Sequence, residues 1–238
     1  MKEVEPMIGI IGAMEEEVNQ LKAVMKEVTV EHRASMDFYK GLLEGQEAVV
    51  VRSGIGKVNA GICTQILADV YQVQAVINTG IAGSLQSEIN IGDIVLSTDT
   101  LQHDMDAKAF GYPEGQIPRM DTLAFQADKK LIDCAKACCA RVNPDIRSFE
   151  GRVLSGDQFV ADKKKKEWLV QTFGGFCTEM EGAAIGQAAY LNGIPFLVIR
   201  AISDKADDSA SMDYPEFEAK AIAHTVALVK AMAKELKA

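Results

Sequence analysis

Met7-Ile8-Gly9-Ile10-Ile11-Gly12-Ala13-Met14 is an apolar run closed by a glycine, and Glu15-Glu16-Glu17-Val18 follows it directly. A short, unbroken apolar run reads as a strand covered on both faces, as in the parallel sheets of α/β proteins. The three glutamates then open a helix, because carboxylates are favoured in a first turn. Val18, Leu21, Val24 and Met25 give that helix an apolar side. Buried strand, glycine turn and amphipathic helix together predict an α/β fold: one domain over residues 1–238, with a central mixed β-sheet flanked by helices.

The same unit recurs outward from this stretch. Residues 36–52 read as a hairpin, and Ser53-Gly54-Ile55-Gly56-Lys57-Val58 follows it as a glycine turn. A helix is expected from about Asn59 to Tyr71, then the strand Ala75–Asn78. Thr79-Gly80-Ile81-Ala82-Gly83-Ser84 reads as a further glycine turn, and Gly92–Ser97 starts another strand. A helix over about 123–141 looks structural. Gly151–Asp157 is a strand and turn followed by Phe159 and Val160. Ile194–Arg200 is apolar enough to be central, and it ends in Arg200-Ala201-Ile202-Ser203-Asp204. Asp213-Tyr214-Pro215-Glu216 has the form of a helix start, with Phe217, Ala221, Leu228, Met232 and Leu236 on one face behind it. Open α/β sheets bind ligands beyond the carboxyl ends of their strands, so the glycine turns predict one shared pocket.

Composition excludes several function classes. A formal net charge of -9 argues against nucleic acid, whose phosphates need basic patches. The one basic run, Lys163–Lys166, lies between Asp162 and Glu167 and reads as a solvated helix face. No stretch approaches a membrane span, and residues 1–7 carry charges rather than a leader's apolar run, so no membrane contact and a cytoplasmic setting are expected. Five cysteines without a C-x-x-C pair read as reduced thiols. Cys134 and Cys138 stand one helical turn apart, but His32, His103 and His224 are scattered, and no metal site is expected. Gly9 and Gly12 lack the spacing of a dinucleotide fingerprint, and the glutamates behind them would repel a pyrophosphate. Gly56-Lys57 fails as a phosphate loop because Val51 and Val58 occupy the positions that need Gly and Ser or Thr. Those glycines read instead as places of close backbone approach.

Two segments carry candidate chemistry. In Thr178-Glu179-Met180-Glu181-Gly182-Ala183-Ala184 the two carboxylates are two residues apart at a junction into a helix, so in extended backbone they point the same way. Their plainer role is to charge the helix start. The loop from His103-Asp104-Met105-Asp106 through Phe110-Gly111-Tyr112-Pro113 to Pro118 is too apolar for water, and it covers either its own pocket or a partner subunit. Phe159, just past a strand end, fits either the core or a surface for a flat ligand.

Taken together, the blocks Ile8–Val18, Ser53–Val58, Gly92–Val95, Ala109–Tyr112, Ser155–Asp157, Glu179–Glu181 and Arg200–Asp204 resemble the nucleoside phosphorylase and nucleosidase family. They are most similar to its branch acting on 5'-thio-substituted adenine nucleosides such as 5'-methylthioadenosine and S-adenosylhomocysteine. The resemblance implies a three-layer sandwich and hydrolysis of an N-glycosidic bond without cofactor. It implies Asp204 as the acid that protonates adenine N7, oriented by Ser203. Glu17 would be the base for water, Glu181 the partner of the ribose hydroxyls, and Arg200 the cation holding the carboxylates and the water. It implies Phe159 stacked on adenine, Val160 reading the base edge through its backbone, and Met180 and Glu179 at the sugar. Ile55, Ala82 and Gly83 would form the floor, with Met14, Tyr214 and Phe217 at the thioalkyl end. Phe110, Tyr112 and Pro118 would come from the neighbour in a homodimer, loop 103–118 completing that neighbour's site. One departure stands out: Ile81 occupies a place where the family often has Ser or Thr, so the water is expected to rest on Glu17 and Arg200 alone.

Overall fold

β1 (Ile8–Gly12) runs parallel to β4 (Gln46–Arg52) on one side and β5 (Ala75–Ser84) on the other, with every residue buried. The structure is a computed structural model that describes residues 6–206 and 210–237, and of residues 210–216 the backbone alone. β1 is followed by α1 (Glu15–Val24), then by the antiparallel strands β2 (Lys26–Arg33) and β3 (Met36–Leu43) leading into β4. α2 (Lys57–Asp69) returns the chain to β5. β6 (Ile94–Gln102), a 3-10 turn at Lys108–Phe110, the short β7 (Phe125–Gln126) and α3 (Lys129–Val142) come next. β8 (Ser148–Ser155), α4 (Lys163–Phe173), β9 (Cys177–Glu179), α5 (Gly182–Asn192), β10 (Phe196–Asp204) and α6 (Ala210–Leu236) complete the order.

The mixed sheet is flanked by helices, as the sequence predicts, in the three layers that the resemblance implies. Alternation along β1 decides which helices lie where. Ile8 and Ile10 join a cluster with Val18 and Leu21 of α1, Leu131 and Ala135 of α3, and Val229 and Met232 of α6. Ile11 points the other way, into a cluster with Cys63 and Leu67 of α2 and Ile185 and Ala189 of α5. One feature lay beyond the sequence reading. β5 pairs with β10, β10 with β6, β6 with β8, β8 with β9 and β9 with β5, so these strands close on themselves. A closed ring has no free edges, and it gathers the ends of β5, β9 and β10 at one mouth.

Several element boundaries differ from expectation. Thr79–Ser84 is not a turn: β5 continues through Ser84, paired with β10 and, at Gly83 and Ser84, with β9. Its glycines supply clearance rather than a bend. The helix expected from about 123 begins at Lys129, where Asp128 accepts the Leu131 N–H at 2.9 Å, and residues 125–126 pair with β6. α6 begins at Ala210, ahead of the Asp213 start read from sequence. The Lys163–Lys166 run forms the first turns of α4, capped by Asp162.

Candidate active site

Glu17 is fixed by backbone. Its Oε2 accepts the N–H groups of Ala13 at 2.7 Å and Met14 at 3.0 Å, and its Oε1 accepts the N–H of Ile81 on β5 at 3.2 Å. Those donors are the unpaired amides at the start of α1 and the rim of a strand, both natural anion partners. Glycine at 80 makes this approach possible, because a Cβ there would collide with Glu17 Oε1 and lie 3.0 Å from Arg200 Nη1. Gly83 does the same for Asp204, whose Oδ1 would be 2.7 Å from a Cβ.

Arg200 and Glu179 form a buried ion pair beneath the cavity, with side chains 2% and 3% exposed. Arg200 Nη2 also donates to Asn78 Oδ1 at 2.6 Å, and the Asn78 amide donates onward to the Ile11 carbonyl at 2.9 Å. Glu179 accepts from Ser155 Oγ, from the Glu181 N–H at 3.1 Å and from the Gly182 N–H at 2.8 Å. Its carboxylate is therefore fully engaged, a structural role that joins the helix-start reading to the cation. Glu181, at the N-cap of α5, is held far more loosely. Its Oε1 accepts the Gly56 N–H at 2.8 Å, and its Oε2 stands 3.8 Å from Arg200 Nη2.

Burial raises the pKa of Glu17, against the pull of Arg200 and the three backbone donors. Burial, reinforced by the Glu179 charge, pushes Glu181 up to about 7, while Arg200 and the Gly56 N–H oppose the shift. Carboxyls whose pKa is raised by burial suit proton transfer and charge stabilisation in a dry site. At the end of β10, Asp204 Oδ1 accepts the Ala206 N–H at 2.8 Å and Oδ2 accepts the Ser203 hydroxyl at 2.8 Å.

A cavity of about 450 Å³ opens over these groups, within the size range of small-molecule sites. Glu17, Glu181, Ser203 and Asp204 line it. So do Met14, Ile55, Ala82, Gly83, Phe159, Glu179 and Met180, all singled out from sequence. Ile81, expected beside the water, lines it too, as do Ala13 and Thr178, which sequence reasoning did not single out as lining residues. Arg200 lies behind the wall rather than in it. Val160 is buried in a separate cluster with Leu85, Leu154 and Ala206, away from the lining, because its side chain fills the space beneath α4. Phe110, Tyr112 and Pro118 do not line this chain's own cavity: Phe110 is 83% exposed, Tyr112 half-buried and Pro118 exposed. The Tyr214 side chain lies outside the described residues. Asn78 was the missed support, and its signal was a polar side chain in an otherwise apolar strand, where a buried amide needs partners. Among the described residues, no group of three or more His, Cys, Asp or Glu is placed to hold a metal ion.

A sequence profile of the phosphorylase superfamily matches residues 7–234. A 5'-methylthioadenosine/S-adenosylhomocysteine nucleosidase of Halalkalibacterium halodurans is 43% identical over 230 residues, covering 96% of this chain and 98% of the relative. The chain belongs to the 5'-methylthioadenosine/S-adenosylhomocysteine nucleosidases of the phosphorylase superfamily. The nucleosidase of an Exiguobacterium species is 41% identical over 231 residues, 97% of this chain and 98% of that one. In three dimensions the chain resembles the nucleosidase of Neisseria meningitidis, solved with methylthio-immucillin-A, at a TM-score of 0.92, 36% identity and coverage of 98% and 100%. It also resembles the futalosine hydrolase of Helicobacter pylori, at a TM-score of 0.91, 34% identity and coverage of 97% and 98%.

Proposed function

We propose that this chain hydrolyses the N-glycosidic bond of 5'-methylthioadenosine and S-adenosylhomocysteine, and of 5'-deoxyadenosine, releasing adenine and the corresponding ribose product. The observation that carries the reading is the meeting of Glu17, Glu181 and Asp204 around one cavity, from segments far apart in sequence. Cleavage needs a protonated leaving base, a stabilised oxocarbenium-like sugar and an activated water. Asp204, oriented by Ser203, gives its proton to adenine N7 while the purine stacks on Phe159. Glu181 accepts hydrogen bonds from the ribose hydroxyls and stabilises the positive charge that grows on the sugar. Glu17, within the field of Arg200, removes the proton from water as it attacks the anomeric carbon. Met180 packs on the ribose, Val160 offers its backbone to the base edge, Ile55 lies at the floor with Ala82 and Gly83, and Met14 edges the thioalkyl end, to which we also assign Tyr214 and Phe217. Position 81 acts through its N–H on Glu17, and its side chain offers the water no hydroxyl.

Water rather than phosphate is the acceptor in this reading. The first strand end presents Glu15, Glu16 and Glu17, and that arrangement repels an anion. The chain works as a homodimer in which loop 103–118 puts Phe110, Tyr112 and Pro118 at the neighbour's cavity mouth. Support comes from an exposed apolar surface: Phe110 on the loop, Val58 at 73% and Ile62 at 44% on α2, and Tyr190 at 51% and Leu191 at 67% at the end of α5. The setting is cytoplasmic, in methionine salvage and removal of S-adenosylhomocysteine. Five free cysteines fit a reducing compartment, and among the described residues no helix is long and apolar enough to cross a membrane. The test is adenine release from 5'-methylthioadenosine, S-adenosylhomocysteine and 6-amino-6-deoxyfutalosine, with and without phosphate. Release from the first two without phosphate is expected, and strict phosphate dependence would overturn hydrolysis.

A further inference from the structure

Three segments close a ring of hydrogen bonds at the rim of the cavity. The Lys57 N–H donates to Asp157 Oδ1 at 2.9 Å, and the Asp157 N–H donates to Asp104 Oδ2 at 3.0 Å. Lys57 Nζ completes the ring on Asp104 Oδ1 at 2.6 Å and also donates to Gln102 Oε1 at 3.2 Å. The Lys57 and Asp104 side chains are only 19% and 16% exposed. Burial works against the Asp104 charge, but Lys57 and the Asp157 N–H outweigh it and hold the carboxyl below its ordinary range. None of these side chains lines the cavity.

One peptide back from Lys57 is Gly56, whose N–H is the donor to Glu181. The Gly56 N–H belongs to the Ile55–Gly56 peptide, whose carbonyl accepts Asn59 Nδ2 at 2.7 Å, and Gly56 itself has φ 95°, in the region that favours glycine, so the peptide that follows must also be held for this N–H to keep its aim. What holds it is the ring: Asp157 grips the Lys57 amide, and Asp104 grips both the Lys57 ammonium and the Asp157 amide. The groups around Glu181 are Glu179 on its own segment, Arg200 on β10, Glu17 on α1 and this one N–H. The ring sets only the last of them. His103, 2% exposed, packs its ring against Gly156, the residue before Asp157.

We infer that Asp104 and Asp157 are positioning residues, which clamp the first residue of α2 so that the Gly56 N–H is aimed at Glu181. The inference rests on the proposed role of Glu181 at the ribose. It also gives loop 103–118 a second function, since the segment assigned to the neighbour's site is rooted in the ring that shapes its own.

The experiment compares wild type with Asp157→Ala and Lys57→Met, and includes Asp157→Asn, which keeps an acceptor for the Lys57 amide. Two readouts are taken. One is the titration of the Glu181 carboxyl by carbon NMR on glutamate-labelled protein, assigned with Glu181→Gln. The other is the pH profile of kcat/KM on 5'-methylthioadenosine. A hydrogen bond to a charged group corresponds to about one pH unit. The Glu181 midpoint is therefore expected to rise by roughly that much in Asp157→Ala and Lys57→Met. The acid limb of the rate should rise with it, giving about a ten-fold loss at pH 6 and little loss at pH 9. Asp157→Asn is expected to restore both. An unmoved midpoint in both disrupting variants overturns the inference, whether or not the rate falls. If wild type released no adenine, the proposed function would fail while the titration still judged the ring.

Discussion

The floor and the rim of the cavity treat the same side chain in opposite ways. On the floor, Glu179 is surrounded by Arg200, Ser155 and the first amides of α5. At the rim, two residues later, Glu181 has one backbone donor and a cation 3.8 Å away, and burial pushes it up to about 7. The floor is built on paired strands, where partners are supplied by the sheet itself. The rim is built on turns, where a single amide decides the environment. A saturated carboxylate serves as structure, whereas a poorly satisfied one keeps capacity for a ligand's hydroxyls.

The largest test of this division is loss of the proton-transfer groups. Glu17→Gln and Asp204→Asn should each lower kcat/KM by about a hundred- to ten-thousand-fold, measured as adenine release, while Asp204→Asn retains nucleoside binding by calorimetry. A loss under ten-fold in either would blur the distinction between floor and site. Next comes the floor itself. Arg200→Met leaves Glu179 buried without its cation, and about 3–5 kcal/mol of stability should be lost by denaturant unfolding. An unchanged midpoint would mean that the pair is not what holds β9 to β10.

The rim should behave differently with pH. The folded protein keeps the Glu181 proton up to about 7, whereas the ordinary value is 4.5. Stability from this group is therefore full below the unfolded value and lost as pH rises through the folded one. Glu181→Gln removes that burden. It should melt a few degrees higher than wild type at pH 8 and match it near pH 5, and it should lose activity at both. A melting difference independent of pH would contradict the assignment. The smallest effect is expected at Ile81→Ser. A hydroxyl there adds one hydrogen bond to the water, worth about a two- to five-fold gain in kcat, and the core loses some apolar packing. Unchanged turnover, with no ordered water beside Glu17, would contradict the account of the nucleophile.

Much of the floor was legible from sequence because apolar strands and the charges at their ends leave local signals. Ile8–Gly12 and Phe196–Asp204 are apolar runs whose ends carry Glu17 and Arg200–Asp204. β2 was not legible: Lys26–Arg33 is exposed along its whole length and has only Val28 and Val30 as apolar residues, so its pairing with β3 is what makes it a strand. Gly80 and Gly83 read as a turn because glycine in sequence does not say whether it bends the chain or makes room. Here it makes room for Glu17 and Asp204. The Asp104–Lys57–Asp157 ring left no local trace at all, since each contact joins residues from a different segment.

With substrate bound, Glu17, Glu181 and Asp204 should surround one glycosidic bond. This arrangement is tested most directly by a crystal structure with a non-hydrolysable 5'-thio-substituted adenosine analogue. The purine is expected against Phe159 with N7 about 3 Å from an Asp204 oxygen. The ribose hydroxyls are expected on Glu181, with a water bridging Glu17 to the anomeric carbon. A purine bound elsewhere, or a sugar facing away from Glu17 and Glu181, would contradict it.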